Sequence, residues 1–175
     1  MDITTLVRTV PNFPKPGVMF RDITTLLKNA EGFRFVTEKL AAAYRDNKVD
    51  KVAAIESRGF IVGAALAHEL RVGFVPIRKG GKLPAENFGQ DYQLEYGKDR
   101  LEMHSDAIRQ NERVLLVDDL IATGGTAEAA LTLIRVAGGS IVGCAFVIDL
   151  PDLGGRAKLE RLGYQVLALC EFAGH

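Results

Sequence analysis

The chain has 175 residues, enough for one compact domain, and its 47% hydrophobic and 25% charged residues supply a core that needs no disulfide or metal staple. Lysine plus arginine equals aspartate plus glutamate at 22 each, which argues against bulk attraction to nucleic acid or to an anionic membrane, so any anion site must be local. The two cysteines, Cys144 and Cys170, sit in apolar runs with no CxxC and no Cys/His cluster, which reads as reduced core residues in a cytoplasmic protein.

Met1 to Thr5 lacks the basic-then-apolar order of a signal peptide, and no apolar run reaches the ~20 residues that span a membrane. From Met1 to about Gly32 the chain carries Pro11, Pro14 and Pro16 and then Gly17, so an ordered but irregular arm is expected, since proline blocks helix. Between Glu31 and Lys48, Phe35, Val36, Leu40, Ala43 and Tyr44 recur on one face and predict a helix. A strand–helix rhythm follows: strand Val52–Ile55, helix Gly59–Leu70, strand Phe74–Ile77. Residues 78–96 are long, polar and rich in glycine and lysine, and read as a loop with a functional or mobile role. Leu101 and Met103, alternating with Glu102 and His104, suggest a solvent-facing edge strand. Strand Val114–Val117, helix Thr126–Ala137, strand Ile141–Ile148, helix Arg156–Leu162 and strand Gln165–Leu169 complete the rhythm. Unbroken apolar strands alternating with helices predict an α/β domain, a mainly parallel sheet flanked by helices, with ligands bound beyond the carboxyl ends of its strands.

The segment that carries chemistry is Val114-Leu115-Leu116-Val117-Asp118-Asp119-Leu120-Ile121-Ala122-Thr123-Gly124-Gly125-Thr126. A buried strand runs into two adjacent carboxylates, then a small-residue loop, then a helix. Glycines let backbone N–H groups approach a ligand, and a helix N-terminus offers unpaired donors to a phosphate. Thr123 and Thr126 add hydroxyls, while Asp118 and Asp119 are acceptors suited to vicinal sugar hydroxyls. Two like charges at a strand end are unfavourable unless something pairs with them. No GxxxxGK[ST] occurs, and no GxGxxG follows the first strand, so neither a Walker A nor a dinucleotide site is expected. Glu56-Ser57-Arg58-Gly59 follows a strand and opens a helix, making a second anion site by the same reasoning, with the Arg58 fork matched to a pair of phosphate oxygens.

The acidic strand end and its loop resemble the signature with which type I phosphoribosyltransferases bind 5-phosphoribosyl-1-pyrophosphate (PRPP). Further stretches resemble the adenine-specific members of that family: Phe13-Pro14-Lys15-Pro16-Gly17-Val18-Met19-Phe20-Arg21-Asp22-Ile23 their base-binding arm, Glu56 to Phe60 their pyrophosphate loop, and Arg78 to Pro84 with Leu94-Glu95-Tyr96-Gly97-Lys98 their mobile flap. The resemblance covers essentially the whole chain. It implies the type I phosphoribosyltransferase fold as a single domain over 1–175, with a hood at 1–32 and a flap at 78–98. One departure is Gly80, where some relatives carry a basic residue, so no part in holding pyrophosphate is expected of it.

The resemblance also implies the roles. Ala122, Thr123, Gly124, Gly125 and Thr126 cradle the 5′-phosphate, and Asp118 and Asp119 hold the ribose hydroxyls. Ser57, Arg58, Arg78, Lys79 and Lys82 bind pyrophosphate, with a non-proline cis peptide near Ser57. Phe20 and Leu120 sandwich the adenine, which Arg21 reads through its backbone, and Glu95 is the general acid/base at adenine N7. The implied reaction is displacement at the anomeric carbon, giving AMP and pyrophosphate. Mg²⁺ is expected on substrate oxygens and water, without a dedicated protein cage. A homodimer acting on small molecules is implied. A phosphoribosyltransferase for xanthine or hypoxanthine, and a PRPP- or purine-sensing regulator without catalysis, are the alternatives.

Overall fold

In the computed structural model, residues 1–94 and 97–174 are described. The hood opens with a 3-10 turn at Ile3–Leu6 and continues as an antiparallel ribbon of β1 (Arg8–Pro11) and β2 (Met19–Asp22), in which Thr9 faces Arg21. The expected irregular arm is therefore partly strand, with the prolines confined to the end of β1 and the connection between the strands. A short α1 (Thr24–Leu27) follows, and Ile23 and Leu26, both fully buried, anchor the hood in the main core. Arg8 and Asp22 lock the ribbon: Arg8 Nε donates to Asp22 Oδ2 at 3.0 Å, a second guanidinium nitrogen bonds the same oxygen, and Asp22 Oδ1 accepts from the Thr24 amide at 2.9 Å.

Helix α2 (Ala30–Tyr44) starts at Asn29, whose side chain caps the Gly32 amide, and buries Gly32, Val36, Leu40 and Tyr44 at a spacing of one turn. Ala41 lies on that inner face; Ala43, expected there, is exposed. The sheet is built from β3 (Lys51–Ile55), β4 (Gly73–Lys79), β5 (Asn87–Leu94), β6 (Gly97–His104), β7 (Arg113–Ile121), β8 (Ser140–Asp149) and β9 (Val166–Glu171), in the spatial order β5-β6-β4-β3-β7-β8-β9. Pairings from β4 through β9 are parallel, while β6 runs antiparallel to both β4 and β5.

Two expectations are corrected here. The stretch 78–96 is not one long loop: β4 runs on to Lys79, and residues from Asn87 onward pair with β6. Polar side chains hid the strand, because β5 is an edge strand whose outer face meets solvent. Nor is β6 an edge. It lies between β5 and β4, and Leu101, Glu102 and Met103 are all buried.

Helices α3 (Arg58–Leu70), α4 (Gly125–Val136) and α5 (Gly155–Arg161) cover the sheet. Strand side chains alternate between two cores: Val52, Ala54, Leu115 and Val117 face α2 and α3, while Ala53, Ile55 and Leu116 face α4 and α5. Beyond β3 the chain crosses by α3 to β4, and beyond β7 it crosses by α4 to β8 in the opposite direction. The crevice between the carboxyl ends of β3 and β7 is thus a topological switch point.

Hydrogen bonds from Arg8 and then Thr24 hold the Asp22 carboxyl down to about 2. A depressed folded pKa contributes stability above the unfolded value and loses it as pH falls towards the folded one. Asp22→Asn is expected to cost about 1–2 kcal/mol at neutral pH, discounted because Arg8 is solvent-screened, and the cost should shrink between about pH 4 and pH 2. Urea titrations of both chains across that range check it.

Candidate active site

At the switch point lies a cleft of about 460 Å³ whose floor is the end of β7 and whose walls are the first turns of α3 and α4. Helix α3 reaches its place through two glycines one turn apart. A Cβ on Gly63 would stand 3.2 Å from the Phe74 ring, and a Cβ on Gly59 would stand 2.6 Å from Asp118 Oδ1. Only glycine lets the helix start this close to the acidic strand end. The peptide between Glu56 and Ser57, just before that start, is cis. Glu56 itself ties the turn to β4: its carboxylate accepts from the Lys79 amide at 2.5 Å and from Arg78 at 3.4 Å.

Asp119 is 3% exposed and forms an ion pair with Arg58, Nε to Oδ2, at 2.5 Å. Asp118 Oδ1 accepts the Asp119 amide at 2.8 Å. Burial, and then the neighbouring Asp119 charge, push the Asp118 carboxyl well above the ordinary carboxylate range. Burial works against the charge on Arg58, but Asp119, with Asp118 and Asp22, raises its pKa. The Arg58 guanidinium also stands 5.4 Å from the centre of the Phe20 ring. One cation therefore bridges the hood aromatic and the buried carboxylate.

The loop from Ala122 to Gly124 leads into α4, with Gly124 in the left-handed conformation at φ 81° as the helix cap. First-turn N–H groups of a helix lack helical partners and favour an anion. Over this end lies β5: the Gln93 carbonyl stands 3.5 Å from where a Cβ on Gly125 would be. Tyr92 and Asp99, from β5 and β6, line the cleft, with the Tyr92 hydroxyl 3.1 Å from Asp99 and Lys79 Nζ 3.2 Å from the same carboxylate.

The chain that carries this cleft matches a known group of proteins along its whole length. The family model for the phosphoribosyl transferase domain matches residues 22–161. An adenine phosphoribosyltransferase of Nitrosospira multiformis is 63% identical over 175 residues, 100% of both chains. The chain belongs to the adenine phosphoribosyltransferase family. A crystal structure of the Thermoanaerobacter pseudethanolicus adenine phosphoribosyltransferase superposes with TM-score 0.94 at 48% identity, covering 98% of each chain. The Saccharomyces cerevisiae adenine phosphoribosyltransferase, complexed with D-2,5-dideoxy-2,5-imino-altritol 1,6-bisphosphate and adenine, superposes with TM-score 0.89 at 38% identity, covering 96% of each.

Of the residues singled out from the sequence, Ser57, Arg58, Lys79, Asp118, Asp119, Leu120, Ala122, Thr123, Gly124 and Thr126 line the cleft. Gly125, the first residue of α4, is not among the lining groups. Arg78 does not line the cleft; it is engaged by Glu56 and by the Lys82 carbonyl, at 3.3 Å, and Lys82 is exposed outside the cleft. The Arg21 side chain bonds Thr9, its partner across the ribbon, and the Ala173 carbonyl at 2.9 Å. Glu95 lies outside the described residues. Sequence reading missed Glu56 as a clamp and Tyr92 and Asp99 as lining groups. The last two fall where strand pairing was not visible.

The raised Asp118 pKa has a stability consequence. The folded chain binds this proton more tightly than the unfolded one, so stability falls as pH rises above about 4 through the folded value. Asp118→Asn can keep the bond to the Asp119 amide while removing the charge. It is expected to raise the melting temperature by roughly 2–4 °C near pH 8, with a smaller gain near pH 4.5, in thermal denaturation at both values.

Proposed function

We propose that the chain transfers the 5-phosphoribosyl group of PRPP to adenine, giving AMP and pyrophosphate. The observation that carries this reading is the pairing of an acidic strand end with two helix N-termini in one cleft, in a chain alike along its whole length to adenine phosphoribosyltransferases. In this reading Ala122 to Thr126 form the cup for the 5′-phosphate. Asp118 and Asp119 then take the two ribose hydroxyls, which removes Asp119 from Arg58. The freed guanidinium, with Ser57 and Lys79, turns to the diphosphate, as its fork geometry favours. Arg58 thereby also leaves the Phe20 face, where the purine stacks, with Leu120 opposite and the Arg21 backbone reading the 6-amino edge.

Adenine N9 attacks the anomeric carbon as the bond to the diphosphate breaks, and the configuration inverts. The adenine proton leaves through Glu95 at N7. The ribbon of β5 and β6 excludes water, which would otherwise hydrolyse PRPP. Among the described residues no group of three His, Cys, Asp or Glu side chains is placed to hold a metal ion. Mg²⁺ fits a cleft whose lining includes the carboxylates of Glu56, Asp99, Asp118 and Asp119, with substrate oxygens and water as its main ligands. It would neutralise charge on the departing diphosphate. The protein is proposed to work as a cytoplasmic homodimer; among the described residues no helix is long and apolar enough to cross a membrane.

Initial rates with adenine, hypoxanthine and xanthine, each with PRPP and Mg²⁺, test the reading. Adenine should be preferred by at least about tenfold, since a mismatched 6-position leaves buried polar groups unpaired at roughly 1–3 kcal/mol. A preference for an oxo-purine, or no AMP formed at all, would refute it. Glu95→Gln is expected to lower kcat about 100-fold or more with adenine affinity little changed, as loss of a proton carrier demands. Single-turnover rates together with equilibrium binding check this.

A further inference from the structure

We infer that Gly155, which does not line the cleft, is a positioning residue that sets the shape of the phosphate loop from behind. The inference rests on the reading of Ala122 to Thr126 as the 5′-phosphate cup. The loop has two faces. One lines the cleft, and the other lies against the start of α5. There the contact is backbone on backbone: the Gly155 amide donates to the Ala122 carbonyl at 2.9 Å, and the Leu150 amide donates to the Ile121 carbonyl at 3.0 Å.

No side chain fits between these surfaces. A Cβ on Gly155 would overlap the Ala122 carbonyl oxygen and stand 2.7 Å from the Gly124 nitrogen and 2.9 Å from Ile121 Cγ1. In the reverse direction, a Cβ on Gly124 would stand 3.1 Å from the Gly155 Cα and from its carbonyl oxygen. The two glycines are thus pressed together, and neither neighbour is a flexible side-chain end that could move aside.

Helix α5 is tied to its neighbours just beyond this contact. Lys158 Nζ pairs with Glu128 Oε2 of α4 at 2.5 Å. Arg156 faces the buried Asp149, at the end of β8, at 3.7 Å and Glu171 of β9 at 3.4 Å, while its pair with Glu160 at 3.0 Å lies within α5 itself. A shift at Gly155 therefore passes to the loop and is not absorbed by α5. Backbone donors that converge on a phosphate lose affinity when displaced by a fraction of an ångström. Phosphate affinity, and not the chemistry at the anomeric carbon, is what Gly155 governs.

The test uses ribose 5-phosphate and inorganic pyrophosphate as separate probes in calorimetry on Gly155→Ala, Gly154→Ala and the unchanged chain. Gly154 has φ 74° and nothing within 4 Å of a would-be Cβ, so an alanine there strains the backbone without touching the loop. Gly155→Ala is expected to weaken ribose 5-phosphate about tenfold or more and to raise KM for PRPP more than it lowers kcat, with pyrophosphate binding unchanged. Gly154→Ala should melt lower yet bind ribose 5-phosphate within about twofold of the unchanged chain. Equal ribose 5-phosphate affinity in Gly155→Ala and the unchanged chain, or an equal loss in both variants, overturns the inference. Amide exchange read by NMR on the unchanged chain supplies a measurement free of folding defects. Ribose 5-phosphate should protect the amides of Gly124, Gly125 and Thr126 and also that of Gly155. Protection of the loop without Gly155 overturns the positioning role alone. No protection of the loop overturns the reading of the cup, and the inference with it.

Discussion

Asp119 keeps only 3% of its surface open, and a carboxylate so placed must be paired or hydrogen-bonded to stay charged. In this structure Arg58 meets that need, and the surrounding architecture follows from bringing the two together. The arginine is the first residue of α3, the aspartate sits near the end of β7, and the pair closes only because Gly59 and Gly63 let α3 lie directly on the sheet. A larger residue at either glycine would push the cation away from its partner. Asp118 beside it answers the same crowding differently: burial, and then the Asp119 charge, drive its carboxyl towards the protonated form.

That constraint also explains how a chain with no net charge can favour a strongly anionic substrate. Cationic character is concentrated in two helix N-termini and in Arg58 and Lys79, each held against a carboxylate until something replaces it. Under the proposed reaction, ribose hydroxyls and diphosphate exchange these partners without leaving a buried charge alone. The hood takes part through Phe20, which faces Arg58, while Ile23, Leu26 and the Arg8–Asp22 pair fix the ribbon to the core.

The α/β class, the helices and the central strands were legible in the sequence because hydrophobic periodicity reports burial on two faces. The loop after Asp119 was legible for a different reason: adjacent carboxylates followed by small residues make little sense without a ligand. The arrangement of β5 and β6 was not legible. The edge strand β5, with a polar outer face, carries no apolar alternation, so neither Tyr92 nor Asp99, its partner on β6, gave a sign of lining the cleft. Nor could spacing reveal that Arg78 is engaged by Glu56, or that Arg58 rests on Asp119. The part of Gly155 was not legible either, since the backbone contact behind the loop joins residues more than thirty positions apart, from Ala122 to Gly155.

A crystal structure with AMP tests the central claim most directly. The account predicts the 5′-phosphate seated on the amides from Ala122 to Thr126, the ribose hydroxyls on Asp118 and Asp119, and Arg58 withdrawn from Asp119. A nucleotide bound elsewhere, or bound in the cleft with the Arg58–Asp119 pair still closed, would contradict it.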